Sequence, residues 1–208
     1  LRTGLFPVTK TDLVLPGRMP VSISRTYNSF DVYEAGGPTG NLGKGWYLSM
    51  DTTLFQVTPT GEIYRLVLPG SSRLDLYRQP NGTWTNQTHP MLKGAVLSTI
   101  AGGDRQLRFN DGATWTFRSL FTFAAGGSIE YLIEQADRNN NTLTITRSGT
   151  AITGLTDASG RQVTVSTTGG RISQIQDPLG RVVTYNYNSN GRLETVSDPE
   201  GGSTRYTY

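Results

Sequence analysis

The sequence predicts an all-β protein, built from antiparallel hairpin repeats that form a continuous curved sheet. Three observations carry this expectation. From Asp137 to Tyr208 the chain repeats itself, with Asp137, Asp157, Asp177 and Asp198 spaced 20, 20 and 21 residues apart. Turn residues punctuate the rest of the chain at intervals of about ten residues, as in a meander of short strands. Thr, Val, Tyr and Gly are frequent while helix-forming runs are scarce, and β-branched and aromatic residues suit a pleated surface. A fixed period marks a repeat architecture, in which one unit cannot bury its apolar face without its neighbours.

The clearest copy runs from Asp177 to Leu193. Val183, Tyr185 and Tyr187 fall on one face of an extended strand, and Val182, Thr184 and Asn186 on the other. Asp177-Pro178-Leu179-Gly180 and Asn188-Ser189-Asn190-Gly191 supply the turns, where Asp or Asn bonds the backbone two residues on and Gly accepts φ > 0. Each period therefore holds two strands and two turns. Gly160-Arg161, Gly170-Arg171, Gly180-Arg181 and Gly191-Arg192 each mark the exit from a turn into a strand. The second strand, Leu193-Glu194-Thr195-Val196, carries its apolar residues three apart, which predicts a bulge.

Asp177-Pro178-Leu179-Gly180-Arg181, then Tyr185, Tyr187-Asn188 and Gly191-Arg192-Leu193, resembles the YD repeat of Rhs-type proteins. The resemblance covers roughly residues 130–208, with four registers in agreement. The first copy departs from it: Asn139-Asn140-Asn141 replaces the turn glycine, and Arg147 stands where Tyr187 and Tyr208 stand later. Asn tolerates the left-handed turn conformation better than other non-glycine residues, so this reads as a degenerate end copy.

Upstream, Thr11 to Gly17 reads as a short strand closed by Pro16-Gly17. Val21, Ile23, Arg25 and Tyr27 alternate with Ser22, Ser24 and Thr26. Asn28 to Gly45 is glycine-rich and reads as loop, leading into Gly43-Lys44-Gly45-Trp46. In order, Asp12-Leu13-Val14-Leu15-Pro16-Gly17, Arg25-Thr26-Tyr27-Asn28-Ser29 and Gly43-Lys44-Gly45-Trp46 resemble the uncharacterised domain that precedes the repeats in bacterial Rhs proteins. Short strands continue with Tyr64, Leu66 and Leu68 after Thr60-Gly61, then Leu74 and Leu76. Asn81-Gly82 and Asp111-Gly112 are hairpin signals followed by Trp84 and by Trp115 and Phe117. Two domains are expected: a β-rich pre-repeat domain over 1–125, and repeats of about 20 residues over 126–208.

Chemistry-bearing patterns are sparse. The formal charge is +3, with sixteen Arg dispersed through turns and strands, so a nucleic-acid footprint is not indicated. The absence of cysteine excludes disulfides, thiol nucleophiles and cysteine metal sites. A single histidine, His89, reads as a surface loop residue and excludes a multi-histidine zinc site. Asp157, Asp177 and Asp198 could stack along hairpins toward calcium, but Asp followed three residues later by Gly also fits an ordinary turn. Glu62, Glu130, Glu134, Glu194 and Glu200 sit in no motif, and Gly36-Gly37-Pro38-Thr39-Gly40 lacks the Gly-Lys-Ser/Thr ending of a phosphate loop. Trp46, Trp84, Trp115 and the repeat tyrosines read as filling sheet faces, with sugar stacking as the competing reading. Asn81 and Asn86 head glycosylation sequons. No apolar run reaches the length of a membrane helix. The chain opens at Leu1 and ends within a strand at Tyr208, and so reads as a piece of a longer protein.

The resemblance implies a structural role: a non-catalytic segment of a secreted or cell-surface bacterial protein, forming part of an Rhs/YD-type β-shell that encapsulates a C-terminal toxin or similar payload. The partners implied are further repeats and an enclosed C-terminal domain of its own chain, and secretion machinery. No catalytic, cofactor-binding or metal residue is assigned, and neither nucleic acid nor a transmembrane segment is expected. The alternatives are a carbohydrate-binding or adhesion module that meets cell-surface glycans, and an extracellular filament component that associates with copies of itself.

Overall fold

The computed structural model describes residues 7–29, 40–70, 72–124 and 126–208. Most of the glycine-rich stretch between Asn28 and Gly45, including Gly36 to Thr39, lies outside the described residues. The described residues form eighteen strands and one 3-10 turn, Pro90–Leu92. The chain divides into two units: residues 1–51, 69–71 and 146–208 in one, residues 52–68 and 72–145 in the other.

In the first unit, β1 (Pro7–Leu15), β2 (Val21–Asn28) and β3 (Trp46–Leu48) pair antiparallel in that order. Alternation in β2 buries Val21, Ile23 and Arg25 on one face, as the sequence pattern predicts. β1 reaches further back than expected and carries a bulge. Thr11 pairs with Ser24 and Leu13 with Ile23, so Asp12 is the extra residue. A bulge turns one side chain out of the regular alternation, and here the redirected side chain is a carboxylate.

The second unit is built from β4 (Thr53–Gln56), β5 (Ile63–Val67), β6 (Arg73–Arg78), β7 (Trp84–Thr85), β8 (Val96–Thr99), β9 (Arg105–Arg108), β10 (Thr114–Thr122) and β11 (Ser128–Ala136). Consecutive strands from β4 to β11 pair antiparallel. The meander and its hairpins were legible in the sequence; its closure was not. β11 pairs with β10 along one edge and with β4 along the other, which shuts the eight strands into a barrel. Two register shifts in the β10–β11 pairing, at Thr116/Phe117 and Ser119/Phe121, supply the local bend that closure needs. Leu54, Leu66, Leu76, Leu97, Leu107 and Phe117 are fully buried in this unit. Closure leaves no free edge among these eight strands.

β12 (Thr142–Ser148) begins in the second unit, against β11, and ends in the first. The repeats follow as β13 (Ala151–Thr156), β14 (Gln162–Thr168), β15 (Arg171–Gln176), β16 (Val182–Tyr187), β17 (Leu193–Ser197) and β18 (Ser203–Arg205), each a neighbour of the next in one sheet. Ile152, Leu155, Val163, Val165, Ile172, Ile175, Val183, Tyr185, Leu193 and Val196 are buried. The predicted bulge is present on the second strand of a repeat. In β17 Thr195 pairs with Asn186 and Leu193 with Tyr187, which leaves Glu194 extra; Ser173 is its counterpart in β15. The degenerate first turn also forms as read: Asn140, at φ 60°, is the one non-glycine residue with positive φ among the described residues.

Asn140 is therefore a position where side-chain chemistry meets backbone strain. Asn140→Ala is expected to lower stability by about 1 kcal/mol, since Ala tolerates the left-handed conformation less well than Asn, and Asn140→Gly to cause no loss. Urea unfolding of the three proteins checks this.

Candidate functional site

A connected set of interacting polar groups lies within the first unit, where side chains of β1 and β2 meet the repeat tyrosines. Arg25 and Asp12 form an ion pair in which both side chains are only 4% exposed. A buried charge must be paired and hydrogen-bonded to be tolerated, and here the repeats complete the pairing. The Tyr185 hydroxyl donates to Asp12 Oδ2 at 2.7 Å. Arg25 Nε and Nη2 donate to the Tyr206 hydroxyl at 3.2 and 3.0 Å. Tyr185 and Tyr206 are the same position in successive repeats, so one ion pair addresses two copies 21 residues apart. Burial pushes the Tyr185 hydroxyl well above its ordinary pKa, although Arg25 pulls it back, and it stays a donor.

The Gly43-Lys44-Gly45-Trp46 segment makes the second contact. Trp46 packs against Tyr27 and Tyr206, with tilted rings at 5.1 and 4.6 Å between centroids, and its Nε1 donates to the Tyr208 hydroxyl at 2.7 Å. Both glycines are required by space as well as by their positive φ. A Cβ on Gly45 would meet the Tyr27 ring at 2.7 Å, and one on Gly43 the Gly191 carbonyl oxygen at 2.9 Å. Just before them, Asn41 presents its backbone oxygen to Ile172 N at 2.9 Å and its Oδ1 to Ile152 N at 3.0 Å. Ile152 and Ile172 are again equivalent positions of successive repeats. Asn41 is held from behind by the half-buried Asp51, which accepts its side-chain Nδ2 and the Leu48 amide. Burial raises the Asp51 carboxyl, against the pull of these hydrogen bonds and of Arg147. Arg147, the residue that breaks the tyrosine pattern, donates instead to Met50 O at 2.9 Å.

Within the repeats, the Gly-Arg arginines fall into two alternating kinds. After the aspartate turns, Arg161 and Arg181 return to the carboxylate four residues back, with Nε to Oδ2 at 2.7 and 2.6 Å. The same aspartates accept two turn amides each: Ser159 and Arg161 for Asp157, Leu179 and Arg181 for Asp177. Burial alone would raise these carboxyls; the arginines and amides outweigh it and hold both below the usual carboxylate range. After the other turns, Arg171 and Arg192 lie over the rings of Tyr187 and Tyr208, at 5.7 and 5.0 Å. Those tyrosines in turn donate to Ile172 O at 2.7 Å and Leu193 O at 2.6 Å. Arg161 Nη2 also donates to Pro16 O at 2.6 Å, at the end of β1.

The other residues singled out in the sequence are dispersed. Asp157, Asp177 and Asp198 each serve their own turn, and among the described residues no three His, Cys, Asp or Glu side chains come together as a ligand set. His89 is half-buried before the 3-10 turn, its amide donating to Asn86 Oδ1 at 2.9 Å. The Asn86 amide group is itself committed, to Asp75 O at 2.6 Å, while Asn81 is exposed. Trp46 and Trp84 are buried, and Trp115 is half-buried with its ring 5.0 Å from that of Phe109. Glu62 and Glu194 pair with exposed arginines, Arg78 and Arg205. Glu134 lies in β11 and Glu200 in the exposed Asp198 turn, whereas Glu130 is buried within the barrel unit. Sequence reasoning assigned no role to Asp12, Asn41, Asp51 or Glu130. Arg25 carried the one available signal, a charge on the inward face of an alternating strand.

Two family models match. Residues 1–77 match a domain of unknown function, DUF6531, and residues 168–203 match the RHS Repeat. The chain belongs to the Rhs/YD-repeat proteins. No curated protein matches it. The two matches bracket this Rhs chain: the first contains Asp12, Arg25, Asn41 and Trp46, and the second contains Arg171, Tyr185, Tyr187 and Arg192. Most of the barrel, from β7 onward, lies between them.

Asp12→Ala leaves Arg25 buried without its counter-charge and is expected to cost about 3–5 kcal/mol, whereas Tyr206→Phe, which leaves the ion pair intact, is expected to cost about 1 kcal/mol. Chemical denaturation separates the two. Asp157 and Asp177 have folded pKa values below their unfolded ones. Their contribution is present above about pH 4 and is lost as the pH falls through the folded values. Acid titration from pH 5 to pH 2 should destabilise the wild type more than Asp157→Asn/Asp177→Asn.

Proposed function

We propose that this segment is the structural, non-catalytic start of a β-shell that encapsulates a C-terminal payload, such as a toxin, in a secreted or cell-surface protein. In this reading residues 1–125 are the pre-repeat part and residues 126–208 the first repeats. The observation that supports it most is the contact of Asp12, Arg25, Asn41 and Trp46 with equivalent positions of successive repeats. Such contacts suit a fixed beginning to a ribbon of hairpins: they set where the pre-repeat strands lie along the repeat period. The polar groups of the repeats are spent on turns, on neighbouring hairpins and on the pre-repeat strands, which is the economy of a scaffold. Rhs repeats form a structural repeat family, and the non-catalytic reading is in keeping with that.

The test uses the native polypeptide that contains this segment. A payload C-terminal to the repeats is expected to resist protease while the shell is folded, and to be cut rapidly once Asp12→Ala/Arg25→Ala weakens it. A payload digested in the native protein as fast as in urea would sink the encapsulation reading. Selective micromolar binding on a saccharide array would favour an adhesion module instead.

A further inference from the structure

Glu130 is a buried carboxylate inside the barrel unit for which the repeat architecture has no use. Its side chain is 5% exposed, and one of its oxygens, Oε2, accepts no hydrogen bond. The cation that faces it, Arg105 on β9, has directed its hydrogen bonds elsewhere. Arg105 Nη2 donates to the Tyr64 hydroxyl at 2.9 Å and Nη1 to Gly103 O at 3.2 Å. The guanidinium lies 5.3 Å from the Tyr64 ring and 5.5 Å from the Trp84 ring. Arg105 Nε, 4.0 Å from Glu130 Oε1, makes no hydrogen bond at all. The carboxylate therefore has a counter-charge at a distance but no donor on its free oxygen, so its neutral form is favoured in place.

The position of Glu130 gives this consequence. It lies on β11, the strand that closes the barrel, and its cross-strand neighbours are Leu54 on β4 and Ser119 on β10. It thus stands in both ladders of the closing strand at once, beside a fully buried leucine and next to a register shift. We propose that Glu130, with Arg105 and Tyr64, is a pH-sensitive latch of the barrel, holding β4 against β11 when protonated and loosening that seam when ionised. The titratable and charged groups that bear on it are Arg105 on β9, Tyr64 on β5 and Asp104 in the turn before β9; the Ser128 hydroxyl adds a polar contact from its own strand. Burial, partly offset by Arg105, carries the carboxyl up to about 7. A folded value above the unfolded one means that the unfolded chain loses its proton first. Stability from this group is full at acid pH and falls as the pH rises toward 7.

The experiment is hydrogen exchange read by mass spectrometry on the 208-residue chain, following peptides over β4 and β11 and correcting for the chemical exchange rate. Protection of these peptides is expected to fall about tenfold between pH 6 and pH 8, the change that one carboxyl moving from about 4.5 to about 7 produces. E130Q should abolish that pH dependence, and R105M, which removes the counter-charge, should shift its midpoint to higher pH. H89N, which leaves Glu130 in place, should keep that pH dependence. If E130Q does not fold, the carboxyl carbon of Glu130 is titrated directly by NMR in the wild type. Flat protection in the wild type, an unchanged pH dependence in E130Q, or a Glu130 midpoint near 4.5 would each overturn the latch.

Discussion

The buried pair of Asp12 and Arg25 is the constraint on which the arrangement of the first unit depends. Taking two charges out of water is costly, and the attraction between them returns that cost only when every remaining donor and acceptor is met. Here the remaining partners are Tyr185 and Tyr206, one from each of two successive repeats. A slip of the pre-repeat strands by one residue would turn Arg25 to the opposite face of β2, and a slip along the repeats would strand the pair without hydroxyls. Apolar contacts between sheet faces are tolerant of such slips; this pair is not. Its contribution is therefore to register, while burial of the aliphatic and aromatic residues around it supplies the bulk of the stability.

The repeats show how a period is maintained when each hairpin is marginal alone. Aspartate at the first turn binds the turn amides and, where arginine follows the glycine, that arginine too. At the second turn the arginine instead covers the tyrosine of the following strand, whose hydroxyl reaches back to a strand carbonyl. Thus Gly-Arg, one dipeptide in the sequence, performs two tasks in alternation. The end copy departs at several of these positions. Its turn is closed by Asn141 in place of arginine, and Arg147 occupies the tyrosine position and binds the Met50 carbonyl.

Much of this was legible beforehand. The period, the strand faces, the second-strand bulge and the left-handed Asn140 all follow from short-range chemistry, because turn residues and alternation act within a few positions of the chain. Of the contact site, the glycine and tryptophan of Gly43-Lys44-Gly45-Trp46 and the inward Arg25 stood out, but their partners did not. Tyr206 lies 181 residues from Arg25, and nothing local relates them. Asp12 was hidden further, since its alternation places it correctly only once a bulge at that residue is known.

By itself the sequence determined the class of structure, the turns, the repeat period and which face of each strand turns inward, since these depend on backbone preference and the two-residue alternation of a strand. The tertiary structure alone decided that β11 closes eight strands into a barrel, that Glu130 is enclosed there opposite a preoccupied arginine, and that Asp12 and Arg25 meet two repeats at once. Those outcomes depend on which distant edges and faces meet, and hydrogen-bonding edges carry no label in the local sequence.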